Sequence, residues 1–156
     1  GNKHVLRMIR EILAAEPDNP GTSIPAASDF LLHTVKRKAV VFLISDFLAH
    51  DLKKPLSALA SKHDAIALRV TDPMEKKLPR VGKVTLADPE TGVQTTVNTN
   101  NANVRMGFER LSQRHNEGLA QLFKQQGIDH LELSTTGDYL PHLHRLFKER
   151  TRRRNS

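Results

Sequence analysis

One apolar run constrains the fold of this chain more than any other feature. Residues Ala39 to Ser45 read Ala-Val-Val-Phe-Leu-Ile-Ser, a β-branched and apolar segment that follows three basic residues. The run does not alternate between apolar and polar side chains, which is typical of a strand buried on both faces of a parallel sheet. It therefore predicts a central strand that ends at Ser45 and delivers Asp46 to the carboxyl edge of that sheet.

The segments after this run predict a parallel crossover unit. Apolar residues recur at helical spacing from Phe47 to Lys62, and Asp64 to Val70 is a second apolar run. Strand, helix and strand within about 30 residues are typical of a βαβ unit. Another short strand is predicted at His130 to Ser134, and four further amphipathic helices are predicted at His4 to Ala15, Ser23 to Lys36, Val104 to Gln126 and Asp138 to Arg150.

A β-hairpin interrupts this alternation. The segments Lys83 to Ala87 and Val93 to Val97 alternate between apolar and polar residues, and a turn sequence that contains Pro89 and Gly92 separates them. The sequence therefore predicts a single α/β domain over residues 1–150, with a mostly parallel sheet and a hairpin inserted at about 82–98.

Composition excludes several classes of protein and site. The chain has no cysteine, which excludes disulfides, thiolate metal sites and cysteine nucleophiles. No apolar run approaches the roughly 18 residues that cross a bilayer, and no secretory signal is present. We therefore expect a soluble, cytoplasmic protein without a membrane segment.

The charge leaves a nucleic-acid-binding domain open as an alternative function. The net charge is +7, and four arginines lie between Arg150 and Arg154. A terminal basic run is usually a solvated tail, so residues 151–156 are predicted to be disordered. Aromatic residues make up only 4% of the chain, which leaves few stacking surfaces for single strands and makes a nucleic-acid partner the weaker alternative.

Polar residues follow each predicted parallel strand, at the edge where open α/β sheets bind ligands. They are Ser45 and Asp46, Thr71 and Asp72, and Ser134 to Thr136. Thr22 precedes the helix that leads into the first strand, and hard oxygen ligands of this kind suit Mg²⁺ or Ca²⁺. Asp46 and Thr22 are also candidates to cap the helices that follow them, which is the more frequent role of such residues.

Motifs for catalysis are missing from the sequence. The eight histidines show no zinc-binding spacing, and there is no P-loop, no GxGxxG and no GxSxG. We therefore expect a protein without enzymatic activity. A hydrolase that uses carboxylates and a divalent ion is the last of the alternatives.

Several segments together resemble a known bacterial family. They are, in order, Val40-Val-Phe-Leu-Ile-Ser-Asp-Phe47, Lys62-His-Asp-Ala-Ile-Ala-Leu-Arg-Val70, Asp72-Pro-Met-Glu75, Leu78-Pro79, Asp88-Pro-Glu-Thr-Gly92 and Asp138-Tyr139. The chain resembles the domain of unknown function 58 family from about Leu6 almost to its C-terminus. This resemblance implies a Rossmann-like, von Willebrand factor A-like domain, truncated here at its N-terminal side.

The resemblance also implies a partner and a site. Members of the family usually accompany MoxR-type AAA ATPases and are thought to assist assembly or metal loading of other proteins. Thr22 matches the second loop of a metal-ion-dependent adhesion site and Asp46 matches the third, whereas the first-loop Asp-x-Ser-x-Ser is absent. Thr22 and Asp46 are thus candidate ligands of an incomplete Mg²⁺ site without a cofactor in this chain, and Ser45 and Asp72 are candidate partner contacts.

An open strand edge follows from the same resemblance. The strand from Val40 to Ser45 would pair with a first strand that lies upstream in such a domain, so one edge of it is expected to be open here. The unpaired N–H and C=O groups of such an edge tend to form hydrogen bonds with another strand. We expect either a homodimer through that edge or a cover formed by the N-terminal helix.

Overall fold

The structure, a computed structural model, describes residues 1–16, 23–49, 51–87 and 93–154. The described residues form six helices and five strands. In chain order these are α1 Asn2–Ala14, α2 Ile24–Thr34, β1 Val40–Ser45, α3 Lys53–Lys62, β2 Asp64–Thr71, α4 Pro73–Lys76, β3 Lys83–Ala87, β4 Gln94–Asn98, α5 Ala102–Gln125, β5 Asp129–Ser134 and α6 Leu140–Arg154. None of these helices has the length and apolar character needed to cross a membrane.

A three-stranded parallel sheet in the order β1-β2-β5 forms the centre of the fold. Val40 of β1 lies opposite Asp64 of β2, and Ile66 of β2 lies opposite Asp129 of β5. The prediction of a parallel sheet and a βαβ unit is confirmed. The predicted central position of β1 is wrong for the described sheet, because β2 is the middle strand and β1 lies at its edge.

Helices pack on both faces of the sheet. On one face Phe47, Leu56 and Phe123 form a core with Ala65 and Ala67 of β2, which brings α3 and α5 onto the sheet. On the other face Leu146 of α6 packs against Ile66 and Leu68. The protein is therefore a mixed α/β structure with helices on either side of a mostly parallel sheet, as the alternation of elements predicts.

The exposure of β1 explains why its position was wrongly predicted. The side chains of Val40, Phe42 and Ile44 lie on the same face of the sheet as α6 but remain exposed there, whereas Val41 is buried on the opposite face. An apolar run alone does not distinguish a middle strand from an edge strand, because the number of neighbouring strands is a tertiary property.

The predicted hairpin is confirmed as a separate two-stranded sheet. β3 and β4 pair antiparallel, with Lys83 opposite Asn98 and Ala87 opposite Gln94. The turn at residues 88–92 lies outside the described residues. Thr99, which is fully buried, ties the base of the hairpin to the preceding segment because its hydroxyl donates to the carbonyl of Gly82 at 2.8 Å.

Helix α1 is amphipathic as predicted, but it does not supply the expected cover for β1. None of its residues is buried, and the apolar side chains of Leu6, Ile12 and Leu13 are strongly exposed. Of the two predicted outcomes for the edge of β1, the cover by the N-terminal helix is thus not realised in the described residues.

Helix α6 runs further than predicted. It continues to Arg154, so the prediction of a disordered tail is wrong for residues 151–154, while residues 155–156 lie outside the described part. Arg150 donates to both carboxylate oxygens of Asp64 at 2.6 Å and also binds Asp129. Arg153 binds Asp129 at 2.7 Å, and this hydrogen bond together with the negative charge raises the pKa of the Arg153 guanidinium above its ordinary value. These ion pairs hold the last turns of the helix in place.

Candidate functional site

Asp46 stabilises a turn at the carboxyl end of β1. Its Oδ1 accepts hydrogen bonds from the backbone N–H of Leu48 at 3.2 Å and from the Ser45 hydroxyl at 3.3 Å. The Ser45 Oγ in turn accepts from the N–H of Phe47 at 3.0 Å. The predicted helix ends at Lys62 as expected, but its predicted start at Phe47 is wrong, because α3 begins only at Lys53. Asp46 therefore caps a turn and not a helix.

Phe47 fixes this turn to the core. Its side chain is fully buried, and its ring meets that of Phe123 edge to face, with 5.1 Å between the ring centroids. Its backbone φ is 57°, a left-handed conformation that is rare for a bulky residue and costs roughly 1–2 kcal/mol. The buried ring holds this conformation, and as a result the neighbouring Asp46 carboxylate points out of the core and is exposed.

Arg69 stabilises the Asp46 turn from the neighbouring strand β2. It was not among the site residues predicted from the sequence. It is buried in β2 beside Ser45, and its Nε donates to the backbone carbonyl of Asp46 at 3.2 Å. Its guanidinium also donates to Asn116 Oδ1 at 2.5 Å and lies 3.6 Å from a carboxylate oxygen of Glu132. A charged residue that follows the apolar run of residues 65–68 was the sequence signal, because a buried charge needs partners.

Asp72 joins the ends of β2 and β5. Its Oδ1 accepts from the N–H of Met74 at 2.8 Å and so caps the short helix α4. Its Oδ2 accepts from the hydroxyl of Thr135 at 3.4 Å, and the N–H of Thr135 donates to the carbonyl of Thr71 at 3.0 Å. Asp72 thus has a structural role at the same edge of the sheet as Asp46.

The carboxyl edge is stepped. Ser45 is level with Arg69, whereas Thr71 is level with Ser134, so β2 and β5 extend beyond the end of β1. The hydroxyl of Ser134 lies 3.1 Å from that of Thr136 and closes a small turn at the end of β5. Within the described part of the chain, no hydrogen bond joins Asp46 to Asp72. The predicted polar residues share one edge but form two separate groups.

A groove runs beside the Asp46 turn. It has a volume of about 450 Å³ and lies between the first turn of α2 and the outer side of β1; it is lined by Ser23, Ile24, Ala27 and residues 42–46. The hydroxyl of Ser23 accepts from the N–H of Ala26 at 3.2 Å and caps α2. The groove therefore brings the start of α2 to the end of β1, as the two predicted loops require.

Of the two predicted Mg²⁺ ligands, Thr22 and Asp46, the structure describes Asp46. Thr22 lies outside the described residues, although Ser23 next to it lines the same groove as Asp46. Within the described ranges, no three His, Asp or Glu side chains form a group that could hold a metal ion. Asp46 offers one carboxylate, whereas Mg²⁺ needs near-octahedral oxygen ligation. The described residues alone do not fit a Mg²⁺ ion, and a cation at Asp46 would require ligands from elsewhere.

Comparison with known proteins identifies the family. The profile of a family described as "Protein of unknown function DUF58" matches residues 1–118, a stretch that includes Asp46, Arg69 and Asp72. The chain belongs to the DUF58 family. This confirms the resemblance seen in the sequence at the level of the family.

The relatives of this DUF58 chain are uncharacterized mycobacterial proteins. MAV169 of Mycobacterium avium is 34% identical over 130 residues, which cover 83% of this chain and 76% of the relative. Rv1480 of Mycobacterium tuberculosis and Mb1516 of Mycobacterium bovis are each 33% identical over 156 residues, which cover 97% of this chain but only 49% of those relatives. The chain therefore spans about half the length of these two proteins. No solved structure is significantly similar to it.

Proposed function

We propose that this DUF58 chain is a non-catalytic protein-interaction domain of the von Willebrand factor A-like class. Its proposed partner is a MoxR-type AAA ATPase, with which it acts in the assembly or maturation of other proteins. The proposed contact surface is the carboxyl edge of the parallel sheet, where Ser45, Asp46 and Asp72 lie. In this proposal the sheet β1-β2-β5 is part of a Rossmann-like sheet.

The observation that carries the proposal is the preformed, exposed carboxylate of Asp46. Phe47 is held at positive φ by its buried ring, and Arg69 binds the Asp46 carbonyl from within the sheet. Two buried residues thus fix the backbone on which an exposed acidic side chain stands. Such preorganisation favours binding, because little conformational freedom is lost when a partner docks. Backbone strain of this kind is typical of functional positions.

The groove beside Asp46 indicates the chemistry of the partner. Its walls include the apolar side chains of Ile24, Phe42 and Ile44, and its end carries Ser45 and Asp46. An apolar surface with a charged residue at its rim is the usual composition of a protein contact. We propose that the ATPase places an apolar side chain in the groove and a lysine or arginine against Asp46.

A divalent cation at this edge is a further part of the proposal. Asp46 would be one ligand of Mg²⁺, and the remaining oxygens would come from residues outside the described part, including Thr22. Calorimetric titration of a full-length relative with Mg²⁺ or Mn²⁺ tests this part separately. Unchanged cation binding after alanine substitution at the aspartate equivalent to Asp46 would show that the site is wrongly assigned.

The proposed partner contact predicts a specific loss of affinity in Asp46→Ala. We expect the variant to bind the ATPase at least about tenfold more weakly than the wild-type chain, which corresponds to about 1.4 kcal/mol. The measurement is biolayer interferometry with the immobilised chain and the purified ATPase. Because the Asp46 side chain is exposed and accepts hydrogen bonds from the nearby Ser45 and Leu48, the variant should keep its fold.

Glu149→Ala is the matched control for this measurement. It also removes one exposed carboxylate, but at the end of α6 that lies at the amino edge of the sheet, where Glu149 forms an ion pair with Arg145. We expect its affinity for the ATPase to equal that of the wild-type chain. Equal losses in the two variants would indicate a general charge effect and contradict a contact at Asp46.

The nucleic-acid alternative rests on the basic residues at the end of α6. Arg150 and Arg153 form ion pairs with Asp64 and Asp129, so a share of this positive charge is neutralised within the chain. This observation favours the protein-binding proposal. Binding to duplex DNA that falls steeply with salt, and that is lost on deletion of residues 151–156, would favour the alternative instead.

A further inference from the structure

A second groove lies between α4 and the first half of α5, and its lining contains none of the residues proposed to contact the ATPase. This α4–α5 groove has a volume of about 470 Å³. Lys76 and Lys77 form one wall, at the end of α4. The other wall is a stripe of α5 whose members recur every three or four residues, among them Glu109, Arg110, Gln113 and Asn116. The groove thus lies between consecutive helices of the chain, within the part that the family profile matches.

The buried Arg69 orients the side-chain amide of Asn116 in this groove. Nη1 of Arg69 donates to Asn116 Oδ1 at 2.5 Å, and the Arg69 side chain is only 9% exposed. A guanidinium carries donors alone, so the amide atom that faces it is the oxygen. The two N–H groups of Asn116 Nδ2 therefore face away from Arg69, and no described residue accepts a hydrogen bond from them. They remain available to an acceptor in the groove.

Three cationic side chains surround the groove. Lys76 binds Glu132, and the ammonium group of Lys77 lies 3.0 Å from a carboxylate oxygen of Glu109. An ammonium group has three N–H donors, so each lysine keeps donors for a further acceptor. Arg110 is exposed and forms no ion pair with a described residue. The groove therefore presents more N–H donors than the carboxylates of the described residues use.

The charge of the surrounding segments favours an anionic ligand. The described residues 76–87 and 93–116 contain seven lysines and arginines but one acidic residue, Glu109, and this excess attracts anions at long range. A nucleic acid fits the groove less well than a polypeptide, because the described residues that line it include no aromatic ring on which a base could stack. An acidic polypeptide fits better, since Met106 in the lining also offers an apolar contact.

We propose that the α4–α5 groove binds an acidic segment of another polypeptide. One carboxylate of the segment accepts hydrogen bonds from Asn116 Nδ2 and from the ammonium group of Lys77, and a second carboxylate pairs with Arg110. An apolar residue of the segment packs against Met106. Charge-assisted hydrogen bonds of this kind are among the stronger polar contacts and supply the affinity. This site does not depend on the ATPase proposed for the carboxyl edge of the sheet.

Fluorescence anisotropy with a labelled peptide of glutamate, leucine and glycine tests the ligand class. The control peptide has glutamine in place of every glutamate. At physiological ionic strength, where exposed charges more than about 8 Å apart are screened, we expect the glutamine peptide to bind at least about tenfold more weakly than the glutamate peptide. The proposal would be overturned by a glutamate peptide that does not bind at about 1 mM of the chain, by equal affinities of the two peptides, or by displacement of the glutamate peptide by an equimolar DNA duplex.

Three substitutions that each lower the net charge by one locate the site. Asn116→Asp keeps an oxygen for Arg69 but replaces the two N–H donors with a carboxylate, so we expect at least about tenfold weaker binding of the glutamate peptide. Arg110→Gln should weaken it about threefold to fivefold, because one exposed ion pair is lost. Arg114→Gln is the matched control, since Arg114 is exposed on the same helix but does not line the groove, and its affinity should equal that of the wild-type chain. Equal losses in all three variants would indicate a general charge effect and contradict the site.

Glu109→Gln should increase the affinity, a result that damage to the fold could not produce. The substitution removes the carboxylate that binds Lys77 and that repels an acidic ligand. We expect the glutamate peptide to bind about threefold more tightly. Glu149→Gln, which makes the same change of charge at the amino edge of the sheet, should bind as the wild-type chain does. Unchanged or weaker binding by Glu109→Gln would contradict a ligand carboxylate beside Lys77.

NMR spectra of the isotope-labelled chain give a readout at the amide itself. The side-chain N–H resonances of Asn116, which are identified by their loss in Asn116→Asp, should shift as the glutamate peptide is added. Those of the exposed Gln125, at the other end of α5, should stay in place. Resonances of Asn116 that do not move at a saturating peptide concentration would show that the peptide binds elsewhere and would overturn the proposal.

Discussion

Arg69 is the residue on which the geometry of the candidate site most depends. It is buried at the end of β2 and connects three elements: the Asp46 turn after β1, Asn116 on α5 and Glu132 on β5. Lys76 also binds Glu132, so that the acidic partner of Arg69 is shared with α4. The exposed carboxylate of Asp46 therefore stands beside a polar network that runs across one face of the sheet, from β1 to β5.

Arg69→Met tests this bracing role. Methionine keeps much of the apolar side chain but leaves the Asp46 carbonyl and the Asn116 side chain without their donor. We expect a loss of about 1–3 kcal/mol in the free energy of unfolding, measured by urea denaturation, because buried acceptors lose hydrogen bonds. Arg114→Met, an exposed substitution on α5, should leave the stability unchanged. Equal stabilities of the two variants would show that Arg69 does not brace the site.

At the residue scale, the sequence predicts the location of Asp46 but not its local geometry. The end of an apolar run fixes where the strand stops, and the resemblance assigned Asp46 to a loop. The turn itself depends on the positive φ of Phe47, and that conformation is stabilised by the ring of Phe123, far away in the chain. Contacts of this kind are tertiary and leave no local pattern in the sequence.

At the scale of elements, Arg150 clamps α6 to the amino edge of the sheet. It binds Asp64 at the start of β2 and Asp129 at the start of β5, and its side chain is only 13% exposed. These contacts explain why α6 continues beyond its predicted end. The sequence pattern did not reveal them, because a run of arginines looks the same whether it is solvated or paired with carboxylates from distant strands.

Arg150→Leu should destabilise the protein substantially. Without the guanidinium, the partly buried carboxylates of Asp64 and Asp129 lose the arginine that both of them bind. We expect the free energy of unfolding to fall by about 2–3 kcal/mol, since removal of one member of a buried ion pair costs up to about 3–5 kcal/mol. Urea denaturation measures the change. Arg145→Leu, which removes an exposed pair on the same helix, should have no measurable effect. A stable Arg150→Leu variant would contradict the clamp.

At the scale of the whole molecule, the sheet separates two surfaces. Its carboxyl edge carries the Asp46 turn and the Asp72 group, and its side is the outer edge of β1, which pairs with no strand among the described residues. The fold class could be predicted because the spacing of apolar residues distinguishes the strands from the helices and so shows their alternation along the chain. The number of strands beside β1 could not be predicted, since the same apolar run fits a middle strand and an edge strand.

The family places these surfaces in a longer protein in some of its members. The chain covers 49% of the Mycobacterium tuberculosis relative and 76% of that from Mycobacterium avium. Partner contacts of these surfaces are therefore best measured in a full-length relative. Asp46 lies at the carboxyl end of β1.

Hydrogen–deuterium exchange of the chain with and without a MoxR-type ATPase tests the central proposal most directly. We expect slower exchange of backbone amides in residues 44–49, 71–76 and 134–137 at the carboxyl edge, and unchanged exchange in residues 36–39, 127–130 and 150–154 at the amino edge. Protection confined to the amino edge, or no protection at a saturating ATPase concentration, would contradict a binding surface centred on Asp46.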